Sequence, residues 1–139
     1  MKGDILLMET SSEIKVTEDD LDVIGHVNNV RFVSFLESAR EDWYRNAGLP
    51  YDEMRIKQLG AVILNLDIHF MKEAKLGDTL KIITSPKSLG NKSFILEQNI
   101  FNQRGEHITR ATIVTVMFDL CSRKSIVVAN QIACQFSLN

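Results

Sequence analysis

Apolar residues recur at two different periods along this chain. From Val30 to Asn46, Phe32, Phe35, Leu36, Ala39 and Trp43 follow one another at steps of three and four, and Ala47 continues the series. That spacing predicts one long helix with a wide apolar surface. Asn28 and Asn29 both suit the N-cap position. Gly48 suits the residue after the helix, and Pro50 stops its continuation. From Ala61 the period falls to two. Val62, Leu64, Leu66, Ile68 and Phe70 are expected on one face of a strand, and Asn65, Asp67 and His69 on the other. Further strands are predicted over Thr79 to Ser85, Ser93 to Asn102 and His107 to Leu120. The last of these is long, β-branched and apolar, as a central strand would be. Glu13 to Glu18 alternates weakly and predicts a first strand; Ser125 to Val128 predicts a short edge strand. Turn signals fall at Lys75 to Asp78, Leu89 to Lys92 and Gln103 to Glu106. Tyr51 to Gly60 is a charged connection with room for one helical turn, and the last eleven residues carry no clear period.

Turns of hairpin length join neighbouring strands antiparallel. A single helix with a wide apolar surface needs a sheet to cover it. The pattern therefore predicts an α+β fold. A chain of 139 residues suits one domain, spanning residues 1–139. No apolar run is long enough to span a membrane, so no membrane partner is expected. Met1 to Ser12 holds one lysine and two acids and lacks a signal-peptide layout. Cys121 and Cys134 do not make a disulfide framework. A reduced, cytoplasmic setting is predicted.

Charge is divided unevenly. Residues 1–70 hold 7 Lys and Arg against 13 Asp and Glu, whereas residues 71–139 hold 9 against 5. Most of the basic side chains of the second half suit a solvated sheet surface, and a few are placed to meet an anionic ligand tail. None forms a basic run interleaved with aromatic residues, which argues against nucleic acid.

Candidate chemistry gathers just ahead of the helix, in Asp22-Val23-Ile24-Gly25-His26-Val27-Asn28-Asn29. Free N–H groups and the dipole at a helix start favour an anion or a polarised carbonyl oxygen. Asp22 reads either as a turn residue or as a carboxylate turned back toward that point. Gly25 reads as a turn that a side chain would obstruct. His26 reads as a hydrogen-bonded structural residue or as a base. His26, His69 and His107 are too far apart in sequence to suggest a metal site, and no metal or cofactor is predicted. Glu37 has the spacing to pair with Arg40, as Glu41 has with Arg45. It lies about 12 Å along the helix axis from Asn29. Cys121 is expected to be a buried free thiol.

The residues Asp22, Gly25, His26, Asn28, Asn29, Phe32, Glu37 and Arg40 resemble the hotdog-fold thioesterases, in particular the 4-hydroxybenzoyl-CoA thioesterase-like branch. The runs Asp20 to Val23 and His26 to Asn29 also resemble the acyl-ACP thioesterases of fatty-acid synthesis; those enzymes carry an asparagine where this chain has Ile24. The resemblance implies a curved antiparallel sheet wrapped around one long central helix. It implies hydrolysis of an acyl-CoA thioester, with Asp22 as nucleophile or general base and the Asn29 backbone N–H supporting the oxyanion. Gly25 would let the thioester approach the backbone. By the same resemblance His26 acts as a base or positions the substrate, and Glu37 stands below Asp22 or reaches across a dimer interface. The turn holding Asn91, Lys92 and Ser93 would meet the phosphates of CoA. A homodimer or homotetramer is implied, with the active site between subunits. Three alternatives stay open: an acyl-ACP thioesterase, a hydratase on the same fold, and a non-catalytic acyl-CoA-binding protein. No Asp-x-Asn-Pro-x-His pattern supports the hydratase.

Overall fold

A computed structural model describes residues 8–136. Residues 1–7, most of the stretch read for a leader, and residues 137–139, the end of the tail without a period, lie outside the described residues. In chain order the elements are β1 (Thr10–Lys15), α1 (Asn29–Asn46), α2 (Tyr51–Ile56), β2 (Leu59–Phe70), β3 (Thr79–Leu89), β4 (Ser93–Phe101), β5 (His107–Asp119), β6 (Lys124–Ser125) and α3 (Asn130–Ala133). The sheet runs β1-β3-β4-β5-β2, with β6 added to β5, and every pairing is antiparallel. This is the α+β arrangement that the period change predicts, a curved sheet with one long helix against it.

Three local expectations need correction. The first strand lies earlier than predicted, because Glu18–Asp20 winds into a short 3-10 turn and ends the extended run. β4, not β5, stands at the centre of the five long strands; β5 lies between β4 and β2. In β2 the pairing register shifts between Ile63 and Asn65, so Leu64 is an extra residue. Such a bulge reverses the alternation beyond it. Ile63 sits opposite buried Thr115, and Leu66 opposite buried Ile113. Val62 therefore shares a face with Asn65, Asp67 and His69 rather than with Leu66.

Helix α1 buries Phe32, Phe35, Leu36, Ala39 and Trp43, the stripe its sequence period lays out, and Tyr44 beside them. Its first turns pack on Leu80, Ile82, Ile100 and Ile113. Its last turns pack on Phe94, Leu96 and Met117, joined by Ile132 and Phe136 from the C-terminal segment. Burying each such large apolar side chain contributes roughly 1.5–3 kcal/mol. Gly48, at φ +90°, ends the helix in the left-handed conformation expected of it. Between the two apolar clusters runs a buried polar rung. Gln98 Nε2 donates to Leu36 O and to Thr84 Oγ1, both at 3.0 Å, and Arg40 Nη1 donates to Gln98 Oε1 at 3.1 Å.

Candidate active site

The approach to α1 is fixed by Asp20. Its carboxylate accepts from the Thr17 amide at 2.9 Å and from Arg31 Nε and Nη2, each at 2.9 Å. Burial alone would raise this carboxyl; the Thr17 amide and the Arg31 guanidinium outweigh it and hold Asp20 below the usual carboxylate range. Asp20 O also accepts from Asn28 N at 2.9 Å. One acid thus ties the loop to the helix start.

The chain then turns sharply over Asp22 to His26. Asp22 N donates to His26 O at 2.8 Å, and Gly25 N donates to Asp22 O at 3.1 Å. Asp22 Oδ1 accepts from the amides of Ile24 at 3.0 Å and His26 at 3.3 Å. Its second oxygen, Oδ2, makes no hydrogen bond among the described residues. Gly25 has φ +84°, and an added Cβ would meet nothing within 4 Å among the described residues beyond its chain neighbours. The glycine is needed for its backbone conformation, since there is room for a side chain.

The helix start resolves the two asparagines. Asn28 is the N-cap, its side-chain oxygen accepting from Val30 N at 2.8 Å. Asn29 is the first helical residue, and its N–H finds no acceptor among the described residues. This is the donor that a helix N-terminus leaves open.

Two long-range contacts complete the site. Val27 N donates to Ala74 O at 2.9 Å, and His26 bridges to the backbone of Lys75. They draw the loop that follows β2 against the Asp22 turn. The result is a cleft of about 400 Å³, walled by Asp22, Ile24, His26, Val27, Asn29 and Phe32 on one side and by Phe70, Met71, Lys72 and Glu73 on the other. Phe32 and Phe70 meet with ring centroids 5.7 Å apart. The ring of His26 turns its Nε2 to Glu73 Oε1.

The cleft gathers Asp22, His26 and Asn29, with Gly25 shaping the turn between them. Glu37 stands outside it, exposed on α1. Its expected pair with Arg40 is not formed, because Arg40 turns inward to Gln98. Glu41 does pair with Arg45, at 3.7 Å, although Asp42 holds the same guanidinium more closely, at 2.9 Å. The turn between β3 and β4 holds Asn91 and Lys92, and Ser93 opens β4. It lies at the far end of the sheet, roughly the 30 Å length of β4 away from the cleft within one chain. Cys121 is exposed rather than buried and contacts Gln58 Oε1.

Phe70, Met71, Lys72 and Glu73 were not legible as site residues. Their only sequence signal is that Phe70 closes a predicted strand and the other three follow it; no local pattern shows that this strand ends beside the helix start.

The model of the Thioesterase-like superfamily matches residues 16–136. The chain is similar to the long-chain acyl-CoA thioesterase FadM of Escherichia coli, 34% identical over 122 residues, covering 87% of this chain and 92% of that protein. It is 24% identical over 123 residues to the acyl-CoA thioester hydrolase YbgC of the same species, covering 88% of this chain and 92% of that one. Among solved structures, it superposes on the probable thioesterase YbaW from Escherichia coli with a TM-score of 0.79 and 32% identity, covering 90% of this chain and 94% of that chain.

Proposed function

The chain belongs to the Thioesterase-like superfamily, and from that membership we propose that it hydrolyses an acyl-CoA thioester to the free acid and CoA. Its curved sheet around one helix is the hotdog fold, and residues 1–139 act as one catalytic domain. One observation carries the assignment of roles. A single cleft holds a carboxylate oxygen, Asp22 Oδ2, and a helix-start amide, that of Asn29, neither of which finds a partner among the described residues.

The thioester carbonyl oxygen accepts from the Asn29 N–H, where the helix dipole adds to the polarisation. Asp22 either takes a proton from water as it attacks the carbonyl carbon or attacks that carbon itself. Charge that develops on the oxygen is held by the amide. The C–S bond then breaks, its electron pair goes to sulfur, and the thiolate takes a proton that came from the attacking water or from solvent; where Asp22 attacked, a water then hydrolyses the acyl–carboxyl anhydride to the free acid and restores the carboxylate. The apolar wall of Phe32, Phe70 and Met71 receives the first carbons of the acyl chain.

A second copy of the chain brings the CoA end of the site into reach. β2 is an edge strand carrying exposed Val62, Ile63, Leu64 and Phe70. Such an edge invites pairing with another strand. Antiparallel pairing of two β2 strands about a two-fold axis sets the Leu59 end of one beside the Phe70 end of the other. That carries the Asn91-Lys92-Ser93 turn of one subunit toward the cleft of its partner, where Lys92 meets the phosphates.

Asp22→Asn is the test. Turnover should fall by about two to four orders of magnitude, the range for losing a general base. Binding of a non-hydrolysable acyl-CoA analogue should change little. Retention of more than about a tenth of wild-type turnover, far above that range, would return Asp22 to a turn role. Turnover in ¹⁸O-water reports the nucleophilic route: heavy oxygen entering the Asp22 side chain marks an acyl–carboxyl anhydride.

A further inference from the structure

Glu73 reaches the cleft from the loop after β2, and nothing in its local sequence marks it. Its Oε1 contacts His26 Nε2, and its Oε2 lies 3.3 Å from Lys75 Nζ. His26 and Glu73 are both 41% exposed and both line the cleft that holds Asp22 and Asn29. An ionised carboxylate only accepts hydrogen bonds. The ring nitrogen facing it must therefore carry the proton, so Nε2 is the N–H and Nδ1 is left as the free nitrogen of the neutral ring. Nδ1 makes no hydrogen bond among the described residues. The backbone fixes the other end of the same side chain, since His26 N donates to Asp22 Oδ1 and the residue bridges to Lys75.

We propose that Glu73 is a positioning residue for His26, setting its tautomer and ring orientation so that Nδ1 serves the reacting thioester. This rests on the reading of the cleft as the thioester site. Asp22 takes a proton from the attacking water and passes it to Nδ1. The C–S bond breaks, its electron pair goes to sulfur, and the Nδ1 proton passes to the departing thiolate. The ring is left neutral, with its proton on Nε2 as before.

A double-mutant cycle tests this. Glu73→Ala in the wild-type background should lower turnover about ten- to a hundredfold, part of the range that an acid–base group contributes, with little change in KM. In a His26→Asn background the same substitution should cost less than about twofold, because residues acting through one another are not additive. Glu73→Gln keeps an acceptor for Nε2–H and should recover part of the loss. Ring ¹⁵N NMR reads the same contact without turnover. The wild-type neutral ring should be the Nε2–H tautomer, and Glu73→Ala should give a mixture. Equal losses in both backgrounds, or an unchanged tautomer, overturn the proposal. Failure of the thioester reading has its own mark: Asp22→Asn would stay active while the tautomer still responded to Glu73.

Discussion

Gln98→Met should destabilise the fold by about 3–5 kcal/mol, an estimate built from the bonds it removes. Gln98 is fully buried at the middle of the core, and Arg40 beside it is 4% exposed. Methionine nearly matches the volume of glutamine, so the substitution opens no sizeable cavity. It does remove the acceptor for Arg40 and the two bonds donated to Leu36 O and Thr84 Oγ1. A hydrogen bond to a charged group contributes roughly 1.5–3 kcal/mol and a neutral one about 1 kcal/mol. Leu36 O retains its place in the helix ladder, so its loss is the smallest of the three. Arg40 is the largest, because a buried cation is left without an acceptor. For a chain of this length the loss corresponds to a fall in Tm of about 10–15 °C. Calorimetry at one fixed protein concentration measures it, since assembly shifts apparent stability. Adding Arg40→Met to Gln98→Met should restore part of the loss, because two apolar partners leave no stranded charge. A Gln98→Met protein destabilised by less than about 1 kcal/mol, a single neutral bond, would refute the buried rung as an energetic unit.

Gly25→Ala should lower turnover while leaving Tm within a few degrees. The φ of +84° strains alanine by about 1–2 kcal/mol at a turn with open space around it, and relief of that strain displaces Asp22. Gly25→Asn, which tolerates that conformation better, should lose less in the same assay. Asp20→Asn should flatten the acid limb of the stability–pH curve. The native carboxyl titrates below its unfolded value, so its contribution is present above about pH 3.9 and is lost as pH falls from there through the native pKa. Urea titrations from pH 6 to pH 3 read the slope; an unchanged slope would remove Asp20 as its source. Lys92→Ala should raise KM for acyl-CoA, with the loss fading at high salt, but not KM for an acyl-pantetheine. Mixing Lys92→Ala subunits with Asp22→Asn subunits should restore activity, because each mixed dimer then holds one site with both wild-type residues. No gain on mixing would overturn the site shared between subunits.

Elements whose cause is local are legible in the amino-acid order alone. The three- and four-residue steps from Phe32 to Trp43 specify α1, because a helix brings such residues to one stripe whatever surrounds it. Gly48 and Pro50 mark its end for reasons of backbone conformation alone. The Asp22-to-Asn29 turn was legible for the same reason: acid, glycine and cap act on neighbours within a few bonds. Leu64 shows the limit. Strict alternation continues through it in the sequence, yet the register against β5 makes it a bulge, and register is a property of two strands. Arg40 shows it again. Its spacing from Glu37 suits a surface pair, but Gln98, 58 residues further on, offers a buried acceptor that the spacing cannot reveal. Asn28 and Asn29 were equivalent as caps until the loop before them was fixed by Asp20. The cleft needed two faraway pieces, the helix start and the loop after β2, brought together by single backbone bonds at Ala74 and Lys75. Glu73 became a candidate only there, because proximity across a fold is decided by packing and leaves no trace in local spacing.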